Sequence, residues 1–311
     1  MRIHIDDDFD LEKIADSGQC FRACRDEGSR FRFIFGDHLL YIEDLGEGFF
    51  DLSCEESDWL NIWKPYFDMD SNYAKIRSLA SDPFMKQAAE AGKGIRILRQ
   101  DPWETLISFI ISQRKSIPAI RGCVEALSSR FGKPLAGDKV HPGIFGLRGK
   151  SGSASPLPSA PVFSETPGSG ESSYSEEGIP SEMKIFAFPS VEELSTATED
   201  ELNRCRLGYR TPYIMDAVRR VRSGEINLSE IASLSDEDLL NKLMTIHGVG
   251  IKVASCVALF AYGRKGVAPV DTWIRKMIDT HYSGINPFPS YGSAAGVMQQ
   301  YVFFSATQVS K

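Results

Sequence analysis

The 311-residue sequence lacks an uninterrupted apolar run near the roughly 20 residues that a membrane-spanning helix needs. Its N-terminus lacks the basic and apolar regions of a secretory signal, and it is too acidic for a transit peptide. With 42% hydrophobic residues, the chain has enough apolar material to bury a sizeable core. We therefore expect an intracellular, cytoplasmic protein of two or three compact units that does not bind a membrane.

The sequence also has few residues that could hold a metal. Its six cysteines are scattered, and only Cys20 and Cys24 are close neighbours. No second close cysteine pair and no histidine pair completes a set of zinc or iron–sulfur ligands. An intracellular setting argues against disulfides. We expect no metal, no organic cofactor and mostly ordinary buried thiols.

The sequence has no excess of basic residues, since its formal net charge is −7. Neutralisation of phosphates is the main sequence-independent source of DNA affinity, so this balance alone does not suggest a nucleic-acid partner. The distribution is uneven, however. Residues 1–60 contain 16 acidic and 6 basic side chains, whereas the remainder contains 26 acidic and 29 basic side chains. A basic surface can therefore form locally outside the first 60 residues.

The N-terminal part has the pattern of a sheet. Residues 31–52 contain short aromatic and β-branched stretches, separated by Gly36 and Asp37 and again by residues 44–46. These separators are typical of antiparallel hairpins. We predict an N-terminal antiparallel sheet domain over residues 1–95.

Helix start signals replace the strand pattern after residue 94. Asp101, Pro102 and Glu104 offer an N-cap, a proline at the first helical position and a capping-box glutamate. Similar N-cap patterns recur at Ser190, Thr198 and Ser235. We predict a helical domain over residues 96–311, and hence an α+β protein.

One segment of the helical part has a different composition. Residues 151–180 contain 9 Ser, 5 Pro, 4 Gly and 4 Glu, with no Lys or Arg. Such a segment cannot bury enough apolar surface to offset the entropy of ordering it. We expect a disordered insertion over residues 151–184, whose acidity argues against direct contact with DNA.

A helix-hairpin-helix pattern is formed by a predicted helix over residues 239–246, a hairpin turn and a second helix from Ile251 onward. Gly248, Val249 and Gly250 form the hairpin, and His247 precedes it. The N-terminal amides and positive dipole end of the second helix would face a DNA phosphate without any base contact. Taken alone, a Gly-x-Gly turn is more often a simple link between two helices.

A lysine and a carboxylate follow this hairpin. Asp271 lies nineteen positions after Lys252 and two after Pro269. It stands at the N-cap of a predicted helix over residues 272–280, where its carboxylate can accept backbone N–H groups and stay ionised. The ordered pair is a more specific signal than either residue.

Together, these residues resemble the helix-hairpin-helix, Gly/Pro-Asp DNA glycosylases, and among them the 8-oxoguanine DNA glycosylase/AP lyase family. The resemblance extends over nearly the whole chain. It includes the Ser-Gly-Gln-x-Phe-Arg motif at residues 17–22, the helix from Asp101 onward, the Leu-Gly-Tyr-Arg segment at 207–210 and residues 299–305. It implies a TBP-like antiparallel sheet domain followed by an all-α helix-hairpin-helix glycosylase domain.

This resemblance implies a mechanism. Lys252 matches the Schiff-base lysine, whose neutral amine attacks the sugar of an extruded nucleotide and displaces the base. Because lysine is protonated at neutral pH by default, Lys252 needs desolvation or a cationic neighbour. Asp271 would stabilise positive charge on the sugar. Elimination from the resulting imine predicts strand nicking as well as base excision.

The resemblance also assigns a base pocket. The carbonyl of Gly18 would read the N7 hydrogen that distinguishes 8-oxoguanine from guanine, although a plain turn glycine is the alternative. Cys256 would contact the flipped base. Gln300 would read its Watson–Crick edge, and Phe304 would stack on it.

Further residues are assigned to DNA binding. Tyr209 matches a tyrosine that wedges beside the estranged base, and Arg210 follows it. Arg114 and Lys115 lie in the gap-filling loop, where the family has asparagines, so Arg114 would fill the gap by stacking and Lys115 would pair with phosphate. Both are solvated surface charges in the alternative interpretation. Ala119 stands where an arginine is expected, which leaves the opposite-base preference open.

Two other classes of function remain open. One is a monofunctional glycosylase for alkylated purines such as 3-methyladenine, which usually lacks the lysine. The other is a non-enzymatic module that only grips the DNA backbone and has no need of Asp271 or a base pocket. Our expectation is a monomeric enzyme that acts, without a cofactor, on double-stranded DNA containing a damaged base, in association with the nucleoid.

Overall fold

The computed structural model describes residues 1–26, 28–135 and 184–308. The predicted insertion at residues 151–184 lies outside these ranges, apart from residue 184. Within these ranges, no helix combines the length and the apolar character needed to span a bilayer. All six cysteines are described, and all carry free thiols.

The N-terminal part forms a five-stranded antiparallel sheet. The strands are β1 (Arg2–His4), β2 (Cys24–Arg25), β3 (Arg30–Phe35), β4 (His38–Gly46) and β5 (Phe49–Leu52). Their order across the sheet is β1-β5-β4-β3-β2. The hairpin of β3 and β4 pairs Phe35 with His38 across a turn that contains Gly36, whose φ is +59°. The predicted hairpin chemistry at Gly36 and Asp37 is therefore confirmed.

Buried apolar side chains alternate along β3 and β4 and mark the face of the sheet that is buried. Phe31 and Phe33 of β3 are buried, as are Leu40 and Ile42 of β4, because side chains of a strand alternate between its two faces. They pack in one cluster with residues from the helical segments that follow the sheet, including Trp63. The sheet thus has one face on a core, as expected for an antiparallel sheet domain.

Helices make up most of the remaining described residues. They are α1 (Leu11–Asp16), α2 (Glu56–Asp58), α3 (Lys64–Tyr66), α4 (Tyr73–Arg77), α5 (Pro83–Ala91), α6 (Pro102–Ile111), α7 (Ile117–Phe131), α8 (Val191–Ser195), α9 (Glu199–Arg204), α10 (Thr211–Arg222), α11 (Asp236–Met244), α12 (Ile251–Phe260), α13 (Thr272–Tyr282) and α14 (Ala295–Gln308). A π-helical segment covers Trp59–Trp63, and 3₁₀ segments cover Gly208–Arg210, Glu230–Ser233 and Phe288–Ala294. The predicted α+β class is confirmed.

The predicted helix starts are also confirmed. The carboxylate of Asp101 accepts the N–H of Glu104 at 2.8 Å. Ser190 and Thr198 each form a complete capping box, and the Ser235 hydroxyl accepts the N–H of Asp238 at 3.1 Å. These local bonds satisfy N–H groups that the first helical turn leaves without a partner.

A second, larger hydrophobic cluster joins the helices. In it α12 packs against α6, where the rings of Phe109 and Phe260 stack with centroids 5.5 Å apart, and α14 packs against α5 and α13. Helix α5 belongs to this cluster although it precedes residue 95, so the boundary at residue 95 stays a prediction. The packing brings α6, α12, α13 and α14 together around one site.

Candidate active site

The predicted helix-hairpin-helix is formed by α11, the turn at residues 245–250 and α12. Gly248 has φ +80°, and a Cβ atom there would overlap the ring of Tyr213. Gly250 is the N-cap of α12 and no side chain caps this helix, so its first amide groups point outward without a side-chain acceptor. Ile251, the first residue of α12, is 58% exposed. This end of α12 can receive an anion.

The structure limits what two hairpin residues, Val249 and His247, can offer to DNA. Val249 is 5% exposed, and its N–H donates to the carbonyl of Ile246 at 3.0 Å. Neither its side chain nor its amide is therefore available to a phosphate. His247 is exposed, but its N–H donates to Asp216 at 2.9 Å. Only its ring, which packs edge-on against Tyr213, is left to meet DNA.

Lys252 and Asp271 come together as predicted. Lys252 is the second residue of α12, and Asp271 is the N-cap of α13, where its Oδ1 accepts the N–H of Ile274 at 2.9 Å. Both side chains line a small cavity of about 50 Å³ and a neighbouring cleft of about 760 Å³. The lysine Nζ lies 5.1 Å from the centroid of the Phe109 ring. The pair thus stands where the cavity meets the cleft.

Cys256 lies one helical turn after Lys252 and also lines the small cavity. Burial raises the pKa of the Cys256 thiol; Lys252 acts in the opposite direction, and the Asp271 carboxylate adds to the rise. The thiol is therefore uncharged at neutral pH. It offers a ligand a small, polarisable contact and not an anion.

Gly18 and Gln300 both line the small cavity. Gly18 has φ +76°, and a Cβ atom there would lie 3.0 Å from the ring of Phe303. Gln300 is 2% exposed, and its Nε2 donates to the carbonyl of Ser17 at 2.5 Å. The small cavity is lined by Gly18, Phe109, Lys252, Cys256, Phe260, Pro269, Asp271, Gln299, Gln300 and Phe303.

The predicted stacking residue Phe304 does not line this cavity. It is 6% exposed in the hydrophobic core, and its neighbour Phe303 faces the cavity instead. Successive residues of an α-helix point about 100° apart, so a shift of one position is enough to turn the ring from the cavity towards the core. Gln299 likewise lines the cavity beside Gln300, and its Oε1 is buried without a hydrogen-bond partner.

Arg210 also differs from its predicted DNA-binding role. It is 5% exposed and donates to the carbonyls of Leu207 and Gln113, and its guanidinium lies over the ring of Tyr209. It therefore fixes the gap-filling loop from inside. Tyr209 itself is 50% exposed and donates to the carbonyl of Gln113 at 3.3 Å.

Arg114 and Lys115 both line the large cleft. Arg114 is exposed and has φ +53°, whereas Lys115 is half-buried and donates to the carbonyl of Arg206 at 3.0 Å. Trp273 and Arg275 of α13 line the same cleft, and Trp273 is 46% exposed.

Sequence reasoning did not assign Phe109, Gln299, Phe303 or Arg275 to the site. Gln299 and Phe303 are separated by four positions, as are Gln300 and Phe304, so the doubled Gln and Phe left two registers possible. Phe109 sits in an apolar run in which no residue is distinguished. In the described part of the chain, no group of three or more His, Cys, Asp or Glu side chains is arranged to hold a metal ion.

Three features of this structure are those of the helix-hairpin-helix class of DNA glycosylases. They are an antiparallel sheet domain, a helix-hairpin-helix with an uncapped second helix, and a lysine and an N-cap aspartate that face one cleft. The family model for the 8-oxoguanine DNA glycosylase N-terminal domain matches residues 2–106. That match covers about a third of the chain, and a solved 8-oxoguanine glycosylase/lyase that is 30% identical and matched over 99% of its length shows that the chain belongs to the 8-oxoguanine DNA glycosylase family.

Solved structures and a curated relative agree with this assignment. MBOgg1, solved with a low-affinity DNA ligand, is 31% identical; the match covers 100% of this chain and 96% of that one, with a TM-score of 0.81. The Clostridium acetobutylicum 8-oxoguanine glycosylase/lyase, solved with double-stranded DNA containing cytosine opposite 8-oxoG, is 30% identical, with coverage of 100% and 99% and a TM-score of 0.78. The Saccharomyces cerevisiae N-glycosylase/DNA lyase is 30% identical over 229 residues, or 70% of this chain. The chain spans about 50% of the length of that yeast protein.

Proposed function

We propose that this protein is a base-excision-repair DNA glycosylase with AP lyase activity, which flips 8-oxoguanine out of double-stranded DNA and excises it through a Schiff base at Lys252. The observation that carries the proposal is the shared position of Lys252 and Asp271 between the small cavity and the large cleft. A base inserted into the cavity would leave its sugar beside both groups.

The reaction follows from these two side chains. The amine of Lys252 attacks C1′ of the extruded nucleotide while the bond from C1′ to the base breaks, and the base leaves with the electron pair and takes up a proton. Asp271 stabilises the positive charge that develops on the sugar. The sugar ring opens to an imine with Lys252. Loss of a C2′ proton then expels the 3′ phosphate, which nicks the strand.

Binding of the DNA uses the uncapped N-terminus of α12 and the residues of the large cleft. Backbone amides at that helix end contact a phosphate without reading sequence. Tyr209 stacks in the space that the extruded base leaves, and Arg114, on the wall of the cleft, either stacks there or meets a phosphate. Because one chain supplies every group of the site, we propose that the protein acts as a monomer, without a cofactor, on DNA of the nucleoid in the cytoplasm.

Base recognition falls to the cavity. The Gly18 carbonyl accepts the N7 hydrogen that 8-oxoguanine has and guanine lacks, and the Phe303 ring beside it offers a stacking surface. Gln299 has an unpartnered Oε1, so its amide is available to the Watson–Crick edge. A 3-methyladenine enzyme of the monofunctional kind would have no use for Lys252 at this position.

Borohydride trapping tests the proposal. The wild-type protein, mixed with an 8-oxoguanine duplex and reduced, should form a covalent protein–DNA adduct, and Lys252→Gln should form none. Lys115→Gln is the matched control, because Lys115 lines the same cleft and should not form the imine. An adduct that persists in Lys252→Gln, or its absence from the wild type, would contradict the proposed chemistry.

A further inference from the structure

Gln300 joins the C-terminal helix to the segment that carries Gly18. Its Nε2 donates to the carbonyl of Ser17 at 2.5 Å, across 283 residues of sequence. Ser17 is fully buried, and Gln300 is 2% exposed. The bond is therefore formed out of water, where a lost partner leaves a buried carbonyl unsatisfied.

The Ser17–Gln19 segment is also held from its other side. The Ser17 hydroxyl donates to the carbonyl of Ile14 at 2.7 Å and accepts from the Gln19 amide at 2.8 Å. The same Gln19 amide donates to the carbonyl of Arg96, and its Oε1 accepts the N–H of Leu98. These bonds anchor the segment to the N-terminal part, whereas Gln300 ties it to α14, where the cavity residues Gln299 and Phe303 are located.

The adjacent glutamines differ in what they leave free. Gln300 uses its amide N–H on the Ser17 carbonyl, whereas Gln299 has a buried Oε1 without a partner and lines the same cavity. An unsatisfied buried amide oxygen is costly unless a ligand pairs with it. The Gln299 oxygen is thus available to a base, whereas one N–H of the Gln300 amide is already engaged by Ser17.

We propose that Gln300 is a positioning residue that sets the Gly18 carbonyl for recognition of the oxidised purine, and that Gln299, not Gln300, pairs with the base. The inference rests on the proposed function. Gln300 acts through Ser17, whose carbonyl belongs to the peptide unit that precedes Gly18. A hydrogen bond to the Gly18 carbonyl needs its acceptor in line with the donor, because the interaction weakens steeply when the donor angle falls below about 120°. Release of Ser17 would therefore weaken the reading of N7–H.

The positioning role of Gln300 and the base-pairing role of Gln299 predict changes in two different specificity ratios. Guanine differs from 8-oxoguanine at N7 and C8, whereas 8-oxoadenine shares the N7 hydrogen and differs at the Watson–Crick edge. Gln300→Met should lower the ratio of 8-oxoguanine to guanine excision by about tenfold or more and keep the preference for 8-oxoguanine over 8-oxoadenine. Gln299→Met should reduce the second preference and keep the first.

The experiment measures the rate of single-turnover excision of 8-oxoguanine, guanine or 8-oxoadenine placed opposite cytosine in a duplex. Each rate is divided by the rate at which the same variant nicks a duplex with an abasic site. Met has nearly the volume of Gln and lacks its hydrogen bonds, so packing is preserved. Loss of the 8-oxoadenine discrimination in Gln300→Met, or an unchanged ratio of 8-oxoguanine to guanine, would overturn the proposal.

Two further measurements do not depend on excision of a base. Amide hydrogen exchange at Gly18 and Gln19 in the free protein should be faster in Gln300→Met than in Gln299→Met, and equal rates would overturn the positioning role. In Gln300→Glu, a protonated carboxyl can donate to Ser17 whereas a carboxylate cannot. Exchange at Gly18, corrected for its intrinsic pH dependence, should slow in this variant as the pH falls towards 5, and unchanged protection would count against the contact.

These readouts separate the two levels of inference. A wild-type protein that leaves 8-oxoguanine in place would contradict the proposed function, while hydrogen exchange would still test the Gln300 contact. A wild type that excises 8-oxoguanine, together with a Gln300→Met variant of unaltered specificity, would contradict the positioning role alone.

Discussion

Gly248 packs its backbone directly against the ring of Tyr213, so closely that a Cβ atom at residue 248 would overlap that ring. The same ring lies edge-on to His247 and to Tyr209, with centroids 4.7 and 6.0 Å away. The hairpin that presents the end of α12 to DNA is therefore seated on α10, and only glycine fits at the point of contact.

Gly248→Ala should therefore destabilise the protein and weaken DNA binding. The left-handed φ of +80° costs an alanine about 1 kcal/mol, and the overlap with Tyr213 adds to this cost, so we expect the free energy of unfolding to fall by about 2 kcal/mol or more. Denaturant unfolding measures this change, and fluorescence anisotropy measures the loss of affinity for a duplex.

Gly250→Ala is the matched control. A Cβ atom at Gly250 would meet nothing within 4 Å, and its φ of −96° is open to alanine. We expect a loss of no more than about 1 kcal/mol of stability, the ordinary difference between glycine and alanine at an N-cap. Equal destabilisation by both variants would contradict the role assigned to the Tyr213 contact.

The two functions of Asp271, capping α13 and assisting catalysis, can be separated by substitution. Asparagine also caps helices, so Asp271→Asn should keep the bond to Ile274 and unfold within about 0.5 kcal/mol of the wild type. Loss of the negative charge should lower the single-turnover excision rate by about 10²- to 10³-fold. Asp271→Ala should lose both rate and about 1 kcal/mol of stability. Wild-type excision in Asp271→Asn would remove the carboxylate from the chemistry.

The sequence was sufficient to predict those structural features that depend on a few neighbouring residues. Asp101, Ser190 and Thr198 cap helices through bonds to residues three positions away, and Gly36 lies in a tight hairpin turn. Such features depend on backbone conformation over a few residues and survive any arrangement of the distant chain. The pairing of Lys252 with Asp271 is not local, and it was predictable because the order of these residues resembles that of the DNA glycosylase family.

Tertiary packing decides where Phe304 and Arg210 lie, and the sequence does not show it. Phe304 and Phe303 have the same chemistry, and only the rotation of α14 against α5 and α13 selects which ring faces the cavity. Arg210 looks like a DNA-binding arginine in the sequence, but backbone carbonyls of Leu207 and Gln113 hold it inside the protein. No local pattern distinguishes a buried arginine from an exposed one, because the difference lies in acceptors supplied from afar.

Arg114 and Lys115 should differ in their contribution to DNA binding. Arg114 is exposed on the wall of the large cleft, whereas the Lys115 amine is occupied by the carbonyl of Arg206. Each phosphate contact contributes about 0.9 to the slope of the logarithm of affinity against the logarithm of salt concentration. Arg114→Gln should therefore lower affinity at every salt concentration and reduce that slope by about 1 if the guanidinium meets a phosphate.

The dependence of DNA affinity on salt concentration should also be measured for Lys115→Gln and compared with that of Arg114→Gln. Its slope should change by less than that of Arg114→Gln, because the amine must first leave the Arg206 carbonyl. If Arg114 instead stacks in the gap left by the extruded base, Arg114→Gln will lower affinity without a change in slope. A larger slope change for Lys115→Gln would show that the lysine is the phosphate ligand.

Asp68, next to Phe67 of the sheet cluster, pairs with Lys265 in the loop that leads to Asp271. It is 2% exposed in its side chain and pairs with Lys265 at 2.7 Å and with Arg99 at 2.9 Å. Burial would raise the pKa of Asp68, but the hydrogen bond and charge of Lys265, aided by Ser71 and Tyr73, bring this pKa below its ordinary value. Because the folded state prefers the ionised form, the stabilisation is complete above pH 4 and is lost as the pH falls through the folded-state pKa.

Asp68→Asn should therefore lower the free energy of unfolding at pH 7 by about 3 kcal/mol, because it leaves Lys265 without its buried counter-charge. It should also make the acid unfolding curve shallower below pH 4. Asp70, two residues after Asp68, forms an exposed ion pair with Lys64. Asp70→Asn should lower the free energy of unfolding by less than about 1 kcal/mol and leave the acid unfolding curve unchanged. Because Lys265 lies six positions before Asp271, excision by Asp68→Asn should slow at pH 7 even when the protein is folded. An unaltered rate in the folded variant would mean that the catalytic aspartate is positioned by α13 and its cap alone.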